Sequence, residues 1–282
     1  MKIYYSSNNK SIFQNDLINF LIDFIQGSYN ELKNDIGDVY FLPASRSGLY
    51  RALNAFSQIL AELSKKRSFV HQKIVLPSIS EQDSDYFSFI NDINIKRINK
   101  DFDYVAKKIE NNLLHGSVIF NQKTKQILFR PLNSNIDMEL LGASSMIAEV
   151  SPIVLFLRYI IISDFGKKKT VGKKPIIFIE EPEAHLHPEN QVKLIECFKD
   201  IIKIGAKIVI TSHSNYIFSK LNNLIAEKEL LENEVAGYLL FNSPKGSKSA
   251  IIKQTRLGFE DKNFVDIAEM LYKEKLKIID KL

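Results

Sequence analysis

The sequence predicts an α/β protein, with parallel strands flanked by helices, a mainly helical N-terminal region and small hairpins. Three observations carry this. Pro175-Ile176-Ile177-Phe178-Ile179 and Lys207-Ile208-Val209-Ile210 are short apolar runs of the kind that form strands buried in a parallel sheet. Between them Val192, Ile195, Phe198 and Ile202 recur at helical spacing behind His187-Pro188, which marks an amphipathic helix with proline in its first turn. Each run delivers polar side chains at its end, Glu180-Glu181 after the first and Thr211-Ser212-His213-Ser214 after the second.

The remaining elements follow in chain order. Ile12, Phe13, Leu17, Ile18, Leu21, Ile22 and Ile25 predict an amphipathic helix over 11–26, ended near Gly27. Val39-Tyr40-Phe41-Leu42 reads as a strand stopped by Pro43, with a turn at Ala44-Ser45-Arg46-Ser47-Gly48 and a helix over about 49–64. Residues 65–115 show little pattern beyond a helix at 103–114. A hairpin follows, 117–120 with 127–130. Ala143-Ser144-Ser145 opens an apolar helix to about Ile162, and a basic loop with Lys167, Lys168, Lys169, Lys173 and Lys174 leads into the first buried strand. Gly205 closes the helix between the strands. Two short helical segments, a hairpin (238–241 with 251–254) and a helix from about 263 complete the chain. The change to alternating strand and helix divides it into a helical arm region over 1–140 and an α/β lobe over 141–282.

Composition narrows the function classes. The 282 residues are 45% apolar and 25% charged, as in globular proteins and unlike disordered tails. The N-terminus has no apolar core of a signal peptide, and the longest apolar stretch, 152–162, is interrupted by Arg158 and too short to span a bilayer, so a cytoplasmic location without membrane contact is expected. The single cysteine, Cys197, forms no internal disulfide and reads as a small core residue. A net charge of +5 permits a polyanionic partner such as DNA without requiring one.

The chemistry concentrates after the two buried strands, where ligands of open α/β sheets bind. A strand delivering two acids suits nucleotide hydrolysis, one carboxylate holding Mg²⁺ and the next orienting or deprotonating water. Acids in that place also cap a following helix, so the pair alone does not decide. Other readings compete. His185 and His187, with Glu183 and His213, could form a metal cluster of a hydrolase if the segment were extended. Asp83-Ser84-Asp85 and Asp101-Phe102-Asp103 have the Asp-x-Asp spacing of a nuclease but lie upstream, and read as surface acids.

The segment Ile179-Glu180-Glu181-Pro182-Glu183-Ala184-His185-Leu186-His187-Pro188-Glu189-Asn190-Gln191 resembles the Walker B and D-loop region of bacterial ABC-type "AAA family ATPases", relatives of the RecF, SMC and OLD groups. Ile210-Thr211-Ser212-His213-Ser214-Asn215-Tyr216 is similar to their switch-histidine segment, and Gly142-Ala143-Ser144-Ser145-Met146-Ile147 to their signature motif. Tyr40-Phe41-Leu42-Pro43-Ala44-Ser45-Arg46-Ser47-Gly48 is similar to a segment that often precedes it. The resemblance implies the C-terminal lobe of a P-loop NTPase and an ATPase using ATP and Mg²⁺. It implies Glu180 as the Mg²⁺ ligand, Glu181 as catalytic base and His213 as γ-phosphate sensor. Ser144 and Ser145 would contact ATP held by an opposing subunit, and His187 joins the nucleotide-binding set. Met146 stands where such signatures commonly carry glycine, which makes close backbone approach to the phosphate harder.

No Walker A loop, G-x-x-x-x-G-K-[ST], is present: no two of the 11 glycines lie five residues apart. The nearest match, 166–174, is one residue too long and ends in Lys174, so it reads as a solvated basic loop. The expectation is therefore either a composite site completed by a homodimer or by a second chain carrying Walker A, or a fragment of a longer ancestor, with an unpaired sheet edge where that strand belongs. The alternative is a non-hydrolysing regulatory protein that keeps the fold.

Overall fold

The computed structural model describes residues 36–53, 56, 80–161, 174–244, 246–260 and 262–279. The helix expected over 11–26 and most of the basic loop at 166–174 lie outside these residues. Among the described residues a three-stranded parallel sheet holds β1 (Ile36–Leu42), β5 (Lys174–Glu180) and β6 (Lys207–Thr211) in the order β1-β5-β6. Leu42 pairs with Ile179 and Ile179 with Ile210, which brings the three carboxyl ends level. β1 comes from the N-terminal part of the sequence, yet it pairs with β5 from the α/β lobe, so both segments share one sheet.

The sheet period of two decides what is buried. Tyr40 and Leu42 of β1 and Ile177 and Ile179 of β5 face the core. Onto this face pack α3 (Lys100–Ile109), α4 (Ser145–Leu155) and α5 (Pro188–Ile204), through Phe102, Val105, Ile109, Ile153, Val154, Leu194, Phe198 and Ile201. Each such side chain contributes about 1.5–3 kcal/mol by leaving water. The opposite face carries Val39 and Val209, 56% and 43% exposed, and β6 has no strand on its outer side among the described residues.

Local chemistry sets the helix ends. Ser144 caps α4 by accepting the Ile147 N–H at 3.5 Å. Gly205 ends α5 in the left-handed region, φ 103°, where a side chain would be strained. The helix after Pro43, α1 (described over 46–53 and at 56), begins at 46 and so starts earlier than its apolar spacing indicated. α2 (Glu81–Asp92), capped by Ser80, falls in the stretch whose polar composition hid it: only Tyr86 and Ile90 of its residues are buried. The hairpin of β2 (Gly116–Asn121) and β3 (Gln126–Pro131) forms as expected and gains a short third strand, β4 (Met138–Glu139).

α6 (Asn215–Ala226) follows β6. Beyond it, β7 (Tyr238–Ser243) pairs with β8 (Gly246–Ile251), a tighter hairpin than the sequence suggested, because the turn closes at Gly246 with φ 99°. β9 (Gln254–Thr255) and β10 (Gly258–Phe259) form a small ribbon before α7 (Lys262–Ile279). Leu240, Ile251, Met270 and Tyr272 are exposed on these last elements, apolar surface of the sort that partners cover.

Asp103 is a correction. It is not a surface acid: its carboxylate is buried and accepts from Arg158 Nε at 2.6 Å, and Lys107 Nζ lies 2.9 Å away. Arg158 also donates to Glu110 and to the Val118 carbonyl. Burial alone would raise the Asp103 pKa, but the bonds from Arg158 and Lys107 outweigh it and hold the carboxyl below its ordinary value. A depressed folded-state pKa means that this stabilisation is present above the unfolded value, about 3.9, and is lost as pH falls through the folded one. Asp103→Asn should cost about 2 kcal/mol at pH 7, a gap that narrows below about pH 4. Urea denaturation across pH checks this, and a gap independent of pH would refute it.

Candidate functional site

The carboxyl ends of β1 and β5 are tied together by Arg46, which is fully buried at the start of α1. Its Nη1 donates to the carbonyls of Pro43 at 2.9 Å and Glu180 at 2.8 Å, its Nη2 to that of Glu181 at 3.2 Å, and its Nε to that of Glu149 at 3.0 Å. One guanidinium thus joins the end of β1, the end of β5 and the body of α4. The buried Glu149 carboxylate sits 3.6 Å from Arg46 and accepts from the Ser47 amide at 3.3 Å and from the Ser47 hydroxyl. Burial lowers the Arg46 pKa from its ordinary value, while Glu149, Glu183 and Glu181 all oppose that shift.

Glu180 ends β5, and its Oε2 accepts the Ala44 amide at 3.2 Å. Glu181 adopts φ 40°, a left-handed conformation that costs a residue with a Cβ about 1–2 kcal/mol. Its backbone is over-determined: its N–H reaches the Thr211 carbonyl at 3.0 Å, and its carbonyl takes Arg46 and, at 3.0 Å, the Ala184 N–H. Strain held this way clusters at functional positions. The turn aims the Glu181 carboxylate across to the β6 loop, where His213 Nε2 lies 3.8 Å from Oε1. Glu181 is 46% and His213 90% exposed, so both side chains are open to a ligand.

A second carboxylate joins the two loops. Glu183 Oε1 accepts from Ser212 Oγ at 2.7 Å and from the His213 N–H at 2.8 Å. Ser214 Oγ donates to Gln191 Oε1, whose amide group donates to the Leu186 carbonyl.

Glu180, Glu181 and His213 are thus brought to the carboxyl end of the sheet. Ser144 and Ser145 are exposed at the N-terminus of α4, whose Met146 sulfur meets Asn190 of α5 at 2.9 Å. His187 caps α5, its Nδ1 accepting the Glu189 N–H at 3.4 Å. The metal-cluster reading of His185 and His187 is corrected: among the described residues no three metal-ligating side chains gather. The reason is local, since Leu186 N–H bonds the Glu183 carbonyl at 2.9 Å and His185 has φ 61°, so the segment is a turn and not a strand. Arg46 and Glu149 were missed as site residues. The signal available was an arginine four residues past the end of a strand, but nothing local said that it turns inward.

Residues 3–218 match the model of a family described as "AAA ATPase domain". No curated protein matches the sequence. Similar solved structures include one from a study of ATP-driven dimerization and DNA-stimulated activation of SMC ATPases, with 11% identity and a TM-score of 0.40, covering 61% of this chain and 94% of that one. The SMC head domain from Thermotoga maritima gives 12% identity and 0.37, covering 60% of this chain and 52% of that one. An Smc head with an extended coiled coil bound to the C-terminal domain of ScpA, from Pyrococcus furiosus, gives 14% and 0.34, covering 94% and 52%. The chain spans about half the length of these last two. At such distances it is the family match that establishes kinship.

Proposed function

The chain belongs to the AAA ATPase domain family, and from that premise we propose that it is the ATP-hydrolysing half of a composite site, completed by a second chain that carries Walker A. The observation that carries this reading is the juxtaposition of Glu180, Glu181 and His213 at the carboxyl ends of adjacent parallel strands. In the proposed mechanism Glu181 takes the proton of the attacking water, and the His213 imidazole donates a hydrogen bond to the γ-phosphate. Glu180 supplies a hard oxygen donor that fits Mg²⁺, which when bound would neutralise phosphate charge. Ser144 and Ser145, at a helix N-terminus with exposed side chains, suit a phosphate presented by an opposing subunit, and His187, which caps α5, joins that set by the family resemblance.

The absence of a Walker A motif from the sequence supports the need for a partner. The basic balance supports DNA as the polyanion acted on. The missing motif also favours the second reading, a regulatory protein that keeps the fold without turnover.

Titration calorimetry with Mg-ATP tests the proposal. The chain alone should bind more weakly than about 1 mM, less than about 4 kcal/mol, because no amide cradle and lysine hold the phosphates and two carboxylates repel them. It should hydrolyse ATP no faster than a Glu181→Gln control. A monomer with micromolar affinity and steady turnover would overturn the composite site, and nucleotide binding without turnover in the completed assembly would favour the regulatory reading.

A further inference from the structure

We propose that Glu183 is a positioning residue of this site, a carboxylate that holds the β6 loop so that His213 faces Glu181. The inference rests on the reading above for its purpose, but its geometry stands independently. The His213 side chain is 90% exposed, so packing does not place it. Its position is set through its backbone, and the backbone N–H is held by Glu183 Oε1 at 2.8 Å. The same oxygen takes the hydroxyl of Ser212 at 2.7 Å, so two successive residues of the loop are pinned to one atom. Bonds to an ionised acceptor are about twice as strong as neutral ones.

Glu183 is itself fixed from below. Its carbonyl accepts the Leu186 N–H at 2.9 Å, and Leu186 is buried in the core. It lies two residues from Glu181 inside the turn whose strained backbone Arg46 clamps. One rigid turn therefore presents the Glu181 carboxylate and, through Glu183, also places the histidine opposite it. A fold-stabilising acid would be expected to satisfy both oxygens, yet Glu183 Oε2 is buried without a hydrogen-bond partner, a cost of about 1–3 kcal/mol. That cost is understandable where the other oxygen serves geometry.

The test uses the full chain without nucleotide, so it stands or falls apart from the ATPase reading, which is judged by the Glu181→Gln turnover measurement in the completed assembly. In NMR, Glu181→Gln should shift the His213 ring resonances of wild type, reporting the 3.8 Å contact. In a Glu183→Ala background that shift should vanish, and His213 amide exchange should be about tenfold faster, as loss of an ordinary hydrogen bond implies. Glu183→Gln, which keeps an acceptor oxygen, should restore both readouts. If Glu183→Ala does not fold, Ser212→Ala is read instead and should weaken the Glu181-dependent shift. Persistence of the full shift in Glu183→Ala, or in Ser212→Ala where that is the variant read, would overturn the proposal, as would failure of Gln to rescue.

Discussion

Glu181→Gln is expected to lower ATP hydrolysis by the completed assembly about 10²- to 10⁴-fold, the range that a positioned general base contributes. The amide keeps the size of the side chain and tolerates the same backbone, so the turn at φ 40° and its bonds to Thr211 and Arg46 should survive. What it loses is the ability to accept a proton from water. Binding steps do not need that proton, so nucleotide-driven association should persist or be prolonged while phosphate release stops. Glu180→Ala should behave differently, weakening Mg²⁺-dependent nucleotide binding before it affects the chemical step. Steady-state phosphate release together with sedimentation of the assembly separates the two variants. Unchanged turnover in Glu181→Gln would show that the base lies elsewhere.

The second large effect falls on stability. Arg46→Ala should cost about 3–5 kcal/mol, because the Glu149 carboxylate would remain buried with only Ser47 to compensate it. The carbonyls of Pro43, Glu180, Glu181 and Glu149 would lose a donor at the same moment. Domains of this kind are stable by about 5–15 kcal/mol, so the variant should sit near the threshold of unfolding. Arg46→Lys should not rescue it, since a point ammonium cannot donate along four separate directions. Pairing Arg46→Met with Glu149→Leu should recover part of the loss by removing the orphaned charge as well. Urea denaturation of the three variants measures this. A single Arg46→Ala variant within about 1 kcal/mol of wild type would mean that water replaces the guanidinium at little cost.

The amino-acid sequence by itself determined the parallel strand, helix, strand unit of 174–211 and the acids and histidine at its ends. Those signals are local: apolar runs four to five residues long, a proline in the first turn, a glycine behind the helix. Neighbouring strands joined by one helix usually pair, so the approach of His213 to Glu181 followed from chain order. The ATPase kinship was legible for the same reason, since the resemblance lies in contiguous residues.

What only the tertiary structure decided are the contacts between residues distant in sequence. Arg46 meets Glu149 across 103 positions and the Glu180 carbonyl across 134, and no periodicity encodes a guanidinium that turns inward against four carbonyls. Asp103 read as a surface acid because burial of a charge depends on its partner, and Arg158 stands 55 residues away. β1 joined the sheet of a segment 137 residues later because its apolar residues had the same buried face to fill, a demand that local composition does not display. Spacing along the chain reports which side of a helix or strand is apolar, whereas the pairing of buried charges is a property of the packed interior, where desolvation permits only those charges that find each other.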